Sequence, residues 1–164
     1  MPYSVRSLAS ADEPLLWEML MYAAHESAIE DVKENPDLSR YVQNFGRHGD
    51  VGVAAVSRSQ MIGAAWLRLW QADDQGYGYV SDEIPELAIS VHPSHRGKGV
   101  GTQLLAALVN DACVIVRFPA ISLSIRADNP ALRLYERIGF VPVPGSEVTN
   151  RIGTQSFSMI YRFG

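Results

Sequence analysis

Hydrophobic and polar positions along the chain follow two periods, which predict an ordered series of helices and strands. Apolar residues recur at helical spacing over residues 15–27 and again over residues 100–113. Seven shorter runs, rich in Val, Ile, Ala and aromatic residues, predict strands. In chain order these runs are PYSVRSL, VGVAAVS, MIGAAWLRLW, IPELAISV, ISLSIRA, FVPVPG and TQSFSMIYRF.

Turn and cap residues place the remaining boundaries. Pro14 opens the first helix, and the sequence NPDLSRYVQNFG predicts a second, shorter helix that ends near Gly46. Pro130 and Gly139 bound the last helix, and residues 71–83 are typical of a polar loop. The order is strand, two helices, three strands, helix, strand, helix and two strands. We therefore expect an α+β fold, a mixed sheet flanked by helices, in a single domain over residues 1–164.

Composition narrows the classes of partner. The 164 residues carry a net charge of −4, which disfavours nucleic acid and anionic membranes as partners. No apolar run approaches the length of about 20 residues that a membrane span requires, and the N-terminus lacks a signal-peptide core. The single cysteine, Cys113, cannot form an internal disulfide and is expected to be a small buried residue. These features favour a cytoplasmic protein.

The stretch HRGKGVGTQL places three glycines directly before a helix. Glycines allow close approach of the backbone, and the first N–H groups of a helix bind anions. A dinucleotide-binding fold requires G-x-G-x-x-G after an early strand, and an NTPase phosphate loop requires Gly-Lys followed by Ser or Thr. Neither spacing is present, because Lys98 is followed by Gly99. A tight turn without a ligand and a loop for a different phosphate-bearing ligand remain as alternatives.

Two motifs in residues 86–140 resemble one known family. The segment Arg96–Gly101 matches R-x-x-G-x-G/A, the acyl-CoA pyrophosphate loop of the GCN5-related N-acetyltransferase (GNAT) superfamily, and it follows a strand that ends in VHP. The later sequence NPALRLYERIGF resembles the second signature of the superfamily, an Asn ahead of a helix that carries Tyr and ends in Gly-Phe. By this resemblance we expect a mostly antiparallel sheet of about seven strands with about four helices.

The resemblance implies acetyl-CoA as co-substrate. The pantetheine arm would lie beside the strand Leu87–Val91 and take hydrogen bonds from its main chain. The residues that the resemblance assigns to the cofactor are Ile89, Val91, Arg96, Gly97, Lys98, Gly99, Val100, Gly101, Thr102, Asn129 and Tyr135. No metal is expected, because His92 and His95 have no further ligands at suitable spacing.

The spacing around the Asn departs from the usual pattern of the family. Many members place this Asn seven residues before the Tyr, whereas Asn129 lies six residues before Tyr135 and Asp128 lies seven before it. The residue that faces the cofactor therefore stays open between the two. Asn129 is also a candidate helix N-cap.

Three residues are candidates for proton transfer. The resemblance assigns Tyr135 as the general acid that protonates the departing thiolate. The base that deprotonates the attacking amine is Glu86, Glu83 or a water relay. Glu83 aligns with the catalytic glutamate of histone-acetylating relatives, and Glu86 occupies a position that is often acidic in small-molecule and peptide relatives. The alternative to a catalytic role is that Glu83 and Glu86 are ordinary solvated carboxylates at the end of a strand.

The resulting hypothesis is an N-acetyltransferase that moves acetyl from acetyl-CoA to a primary amine by direct attack in a ternary complex. The amine would belong to a small molecule or a peptide; homodimerisation is common in the superfamily and is left open. A non-catalytic acyl-CoA sensor and an enzyme with a different acyl donor are the alternatives. The loop of residues 71–82 is a candidate flap over the amine. Four aromatic residues either line the substrate pocket or belong to the core: Trp17, Tyr22, Trp66 and Trp70.

Overall fold

Eight β-strands form one mixed sheet in the computed structural model, which describes residues 2–150 and 152–163. The strands are β1 (Ser4–Ser7), β2 (Val51–Ser57), β3 (Gln60–Arg68), β4 (Glu86–Val91), β5 (Ala120–Arg126), β6 (Val141–Pro142), β7 (Val148–Thr149) and β8 (Gln155–Arg162). Their order is β1-β2-β3-β4-β5-β8-β6, and β7 also pairs with β8. The predicted α+β fold is confirmed, with β7 as a short strand that the sequence did not indicate.

Six α-helices cover the two faces of this sheet in the described part of the chain. They are α1 (Glu13–Ala23), α2 (Ile29–Lys33), α3 (Pro36–Ser39), α4 (Val100–Val109), α5 (Ala112–Arg117) and α6 (Leu132–Ile138). Short 3₁₀ turns at Ser10–Asp12 and Pro93–His95 precede α1 and α4. None of the helices within residues 2–150 and 152–163 has the length and hydrophobicity that crossing a bilayer would need.

Two of the predicted helices differ in the structure. The helix predicted over NPDLSRYVQNFG is reduced to α3, which starts at Pro36 behind the N-cap Asn35 and ends at Ser39, and α2 lies before it in a stretch that the sequence did not predict as helical. The helix predicted to reach Cys113 ends at Val109, because the Asp111 side chain accepts hydrogen bonds from the Cys113 and Val114 amides and caps α5. This second start turns Cys113 to the surface, so the expectation of a buried cysteine was wrong.

The sheet is split between β4 and β5. These two strands are parallel and share a single register pair, Glu86 with Ser122, whereas every other strand pair in the described sheet is antiparallel. Beyond that pair the strands diverge. Backbone groups on the facing edges of β4 and β5 therefore lie along an opening in the middle of the domain.

Two hydrophobic cores lie on opposite faces of the sheet. One core packs α4, α5 and α6 against the odd-numbered side chains of β4 and β5, such as Leu87 and Leu123. The other packs α1, α2 and α3 against β3 and contains Trp17 and Trp66. Because side chains alternate along a strand, the even-numbered residues of β4, beginning with Glu86, face the second side.

A buried ion pair joins the segment after α3 to β3. The Arg68 and Asp50 side chains are 1% and 0% exposed, and they form two hydrogen bonds of 3.1 and 2.8 Å. Arg68 Nη1 also donates to the backbone carbonyls of Arg40 and Gln43, at 2.7 Å each. The pair therefore holds residues 40–43 against the sheet.

Removing the carboxylate of this pair is expected to destabilise the whole domain. Asp50→Ala leaves the Arg68 charge buried without its partner, which should lower the free energy of unfolding by about 3–5 kcal/mol. Urea unfolding followed by fluorescence measures this change. Asp37→Ala is the control, because Asp37 is 67% exposed and its ion pair with Arg40 is a surface pair. A loss of under 1 kcal/mol in both variants would contradict the structural role of Asp50.

Candidate active site

A cavity of about 580 Å³ passes through the split in the sheet. Its lining comes from both faces. Ala23, Tyr41 and Glu86 belong to the side covered by α1–α3, and Leu87 and Tyr135 belong to the side covered by α4 and α6. A molecule in this cavity would therefore contact both sides of the sheet at once.

The edge of β4 presents main-chain groups to this opening. The His92 amide donates to the Ile62 carbonyl of β3 at 2.7 Å, so the even-numbered residues of β4 hydrogen-bond toward β3. The amide and carbonyl groups of Ile89 and Val91 consequently face the opening. Ile89 lines the cavity, and the Val91 carbonyl accepts a 3.0 Å hydrogen bond from Arg96 Nε.

The glycine loop lies at the start of α4. Gly97 and Gly99 have φ values of 76° and 82°, in the left-handed region that favours glycine. The first helical hydrogen bond of α4 runs from the Gln103 amide to the Gly99 carbonyl. The N–H groups of Val100, Gly101 and Thr102 precede it, so they have no carbonyl partner within the helix and point out of its end.

The surroundings of this helix start suit an anion. The first turn of α4 contains no acidic residue, and no side chain caps it. A Cβ added at Gly97 or Gly99 would meet nothing within 4 Å, so the space in front of the amides is open. Arg96 and Lys98 are exposed on either side of Gly97 and add positive charge. This cradle of donors fits the diphosphate of an acyl-CoA.

Tyr135 lies on α6 and lines the cavity from the α4–α6 side. Its ring is buried and packs edge-on against Phe140, with 5.8 Å between the ring centroids. Among residues 2–150 and 152–163 its hydroxyl has no side-chain hydrogen-bond partner. Burial raises the pKa of the Tyr135 phenol to about 12, so the hydroxyl is protonated across the physiological range.

Asn129 also lines the cavity, whereas Asp128 is exposed and does not. Asn129 Oδ1 accepts a 2.8 Å hydrogen bond from the Ala131 amide, one residue before α6 begins. The side chain thus stabilises the turn that leads into α6 through its oxygen. Its amide NH₂ group donates to none of the described residues.

Glu86 lies at the closed end of the split, on the side covered by α1–α3. Its carboxylate is buried and accepts hydrogen bonds from the Tyr41 hydroxyl and the Trp70 Nε1, at 2.8 Å each, and from the Gly78 amide. Desolvation by burial raises the pKa of Glu86 to about 7, and the three hydrogen bonds and the Arg40 charge counteract part of that rise. A carboxyl group with this pKa exchanges protons readily at neutral pH.

Glu83 has a different environment. It is an exposed residue of the turn before β4 and is not part of the cavity lining. The structure therefore brings Glu86, Ile89, Asn129 and Tyr135 together around one cavity, and it leaves Glu83 outside.

The partners of Glu86 come from segments far away in sequence. Tyr41 follows α3, and its hydroxyl also accepts a 2.7 Å hydrogen bond from the Tyr77 amide in the loop between β3 and β4. Arg40 holds the same loop through an ion pair with Asp74 and a hydrogen bond to the Gln75 carbonyl. Nothing in the sequence around Tyr41 indicated a contact with Glu86.

The four aromatic residues considered for the substrate pocket separate into two groups. Trp17 and Trp66 belong to the core under α1–α3, and Tyr22 donates to Glu18 at the surface of α1. Trp70 reaches the site through its hydrogen bond to Glu86. None of the four aromatic residues lines the cavity, and the sequence indicated neither Trp70 nor Tyr41 as a partner of the Glu86 carboxylate.

A family model described as "Acetyltransferase (GNAT) domain" matches residues 47–142, more than half of the chain. The chain belongs to the GNAT acetyltransferase family and is an acyltransferase of that class. A comparison with curated protein sequences finds no significant match.

Solved structures of this family share the fold. The ribosomal-protein-alanine N-acetyltransferase from Brucella melitensis superposes with a TM-score of 0.71 at 20% identity, over 98% of this chain and 99% of that one. The yncA protein from Salmonella typhimurium, solved with its cofactor acetyl-CoA, has a TM-score of 0.71 at 21% identity, over 100% and 95% of the two chains. The spermidine/spermine N-acetyltransferase SpeG from Vibrio cholerae has a TM-score of 0.61 at 18% identity, over 98% and 92%.

Proposed function

We propose that this protein transfers the acetyl group of acetyl-CoA to a primary amine by direct attack in a ternary complex. The observation that carries the proposal is the cavity through the split sheet, which places Glu86 and Tyr135 around one space from opposite faces. One group can accept a proton and the other can donate one, as aminolysis of a thioester requires. The solved relatives supply precedent for amines of proteins and of spermidine.

Different residues of the chain would bind different parts of the co-substrate. The amides of Gly97 to Thr102 would hold the diphosphate, and the main chain of Ile89 and Val91 would hold the pantetheine arm as an added strand. The side-chain NH₂ group of Asn129 would donate a hydrogen bond to the same pantetheine arm. Bound acetyl-CoA supplies the activated thioester.

Glu86 would act on the incoming amine. An amine arrives mostly as ammonium, and the Glu86 carboxylate would accept one of its protons directly or through one water molecule. The pKa of about 7 makes this carboxyl group a suitable acceptor at neutral pH. The nitrogen then forms the new bond to the acetyl carbon.

Tyr135 would act on the leaving group. As the C–S bond breaks, the Tyr135 hydroxyl would donate its proton to the sulfur, and the second proton lost from the nitrogen would restore the phenol. A main-chain N–H at the edge of β4 would donate to the acetyl carbonyl oxygen and stabilise the charge that develops there.

Acetyl-CoA-dependent thiol release across a panel of amines and basic peptides tests the proposal. Release with one class of amine supports it. Binding of acetyl-CoA without release in any reaction would favour the non-catalytic sensor, and faster release from propionyl- or succinyl-CoA would favour another donor. The absence of acetyl-CoA binding would contradict the proposal as a whole.

The glycine loop yields a prediction of its own. Gly99→Val forces a β-branched residue to a φ of 82° at the start of α4, which should misplace the phosphate-binding amides and raise KM for acetyl-CoA about 10-fold or more. Steady-state kinetics with varied acetyl-CoA measures this. Gly145→Val is the matched control, because Gly145 has a φ of 77° and equally open surroundings but lies outside the glycine loop. Equal changes in both variants would contradict the role of the loop.

The cellular location is also part of this proposal. The lone cysteine and a thioester co-substrate suit the cytoplasm, and cell fractionation would test the location.

A further inference from the structure

Arg126 is the only Arg or Lys among the described residues that line the cavity. It is the last residue of β5. Leu123 and Ile125 point into the core under α4, so Ser124 and Arg126 face the opposite side by strand alternation. This is the side covered by α1–α3, on which Glu86 also lies.

The guanidinium of Arg126 forms no hydrogen bond or ion pair with the residues that the structure describes. Its Nε is the only buried side-chain nitrogen or oxygen without a hydrogen bond in residues 2–150 and 152–163. No ion pair of those residues includes Arg126 either. Neither Nη nitrogen bonds to a described residue, and neither is among the buried unpaired atoms, so both are accessible to a bound molecule. Buried donors without acceptors are rare in folded proteins, and at a cavity wall a bound ligand or an ordered water would supply the acceptor.

Arg126 and Glu86 form a pair of opposite charges at the two ends of the same face. Glu86 is in register with Ser122, and Arg126 lies four residues further along β5. The rise per residue of a strand therefore separates the Cα levels of Glu86 and Arg126 by about 13 Å. A small zwitterion placed between the two side chains can fill this distance. Its ammonium group would then lie near Glu86 and its anionic group near Arg126.

The cavity of about 580 Å³ has room for the thioester end of the co-substrate together with a small amine. An unpaired guanidinium attracts an anion, and its planar fork matches a carboxylate in particular.

We propose that Arg126 binds the carboxylate of the amine substrate, so that this substrate is a free amino acid. The inference deepens the proposed acetyl transfer and rests on it. A polyamine would place a second cation beside Arg126, and a plain alkylamine would leave the guanidinium unpaired. Both are therefore expected to be poor substrates.

The test compares each of the twenty proteinogenic amino acids with its carboxamide at saturating acetyl-CoA. A charge-assisted bond to the carboxylate should favour the best acid over its amide by about 10- to 100-fold in kcat/KM. Arg126→Gln should reduce this ratio to near one, and Arg126→Lys should keep part of it because the charge is retained. Arg133→Gln is the matched control, since Arg133 is exposed on α6 and lies outside the cavity.

The outcomes separate this inference from the proposed function. Turnover of amides, alkylamines or spermidine as fast as the acids, or an unchanged ratio in Arg126→Gln, would overturn the role of Arg126 and leave acetyl transfer intact. If no amine is acetylated, calorimetric titration of the same amino acids and amides in the presence of CoA tests whether Arg126 binds a carboxylate. Binding of an acid that Arg126→Gln abolishes supports the carboxylate site and contradicts catalysis, whereas binding independent of Arg126 contradicts the site. Thermal unfolding of both Arg126 variants checks that they fold.

Discussion

Glu86→Gln should lower kcat about 10²- to 10⁴-fold and abolish the acidic limb of the pH–rate profile. In the wild type, activity should rise with pH through about 7 and then level off, because only the carboxylate can accept a proton from the ammonium. Glutamine keeps the shape of the side chain but cannot accept that proton. Initial rates between pH 5.5 and 9, with the amine concentration corrected for its own ionisation, measure both effects.

Glu83→Gln is the matched control for this experiment. Glu83 is exposed and lies outside the cavity, so its replacement should leave both kcat and the pH profile unchanged. A loss of the acidic limb in Glu83→Gln but not in Glu86→Gln would transfer the role of base to Glu83. An unchanged limb in both variants would favour a base outside this pair, such as a water relay.

The same carboxyl group links pH to stability, which gives the variant a second measurement. The pKa of Glu86 is about 7 in the folded protein against 4.5 for an ordinary glutamate, so between these values the folded state binds more protons than the unfolded state. The contribution of Glu86 to stability is therefore complete below 4.5 and is lost as pH rises through about 7. The loss amounts to about 3 kcal/mol. This decline should be absent in Glu86→Gln, as urea unfolding at a series of pH values will show.

Tyr135→Phe should lower kcat about 10²-fold or more without destabilising the protein. The substitution removes only the hydroxyl, which bonds to no side chain in the described residues, and the ring keeps its contact with Phe140. KM for acetyl-CoA should change little, because the phosphate and pantetheine contacts remain. Because burial raises the pKa of Tyr135 to about 12, the wild-type rate should show no basic limb from this group below about pH 10.

Tyr161→Phe is the matched control for the tyrosine. Tyr161 also packs against Phe140, with 5.4 Å between ring centroids, but it does not line the cavity. Its replacement should leave kcat unchanged, and thermal unfolding should give nearly equal midpoints for both variants. A full rate in Tyr135→Phe would assign the proton for the thiolate to another donor, such as water.

Much of the local structure followed from the sequence alone. A run rich in Val and Ala predicted β2 as residues 51–57, and the Arg58-Ser59 turn between β2 and β3 has positive φ at both residues, as a tight hairpin requires. The three glycines and the helix pattern behind them predicted the start of α4. These features are decided by neighbouring residues, so they are visible in a linear pattern.

The environment of each titratable group required the tertiary structure. Glu83 and Glu86 are three residues apart and equivalent by composition, yet one is exposed and the other is buried under Tyr41, Trp70 and Gly78. Those contacts depend on α3 and on the loop before β4 folding over the split sheet. Burial, the rise of the pKa and the choice between the two carboxylates follow from long-range packing, which a local pattern does not encode.

Arg126 shows the same difference between what the sequence predicts and what the tertiary structure decides. The sequence predicted the strand that contains Arg126 but did not single out this residue or the face on which it lies. Only the divergence of β5 from β4 turns that face into a cavity wall, and only the packing around it leaves Nε buried without an acceptor. The sequence by itself thus determined the family, the glycine loop and the candidate acid. The tertiary structure decided which carboxylate and which guanidinium line the cavity, because this depends on which distant segments pack around each side chain.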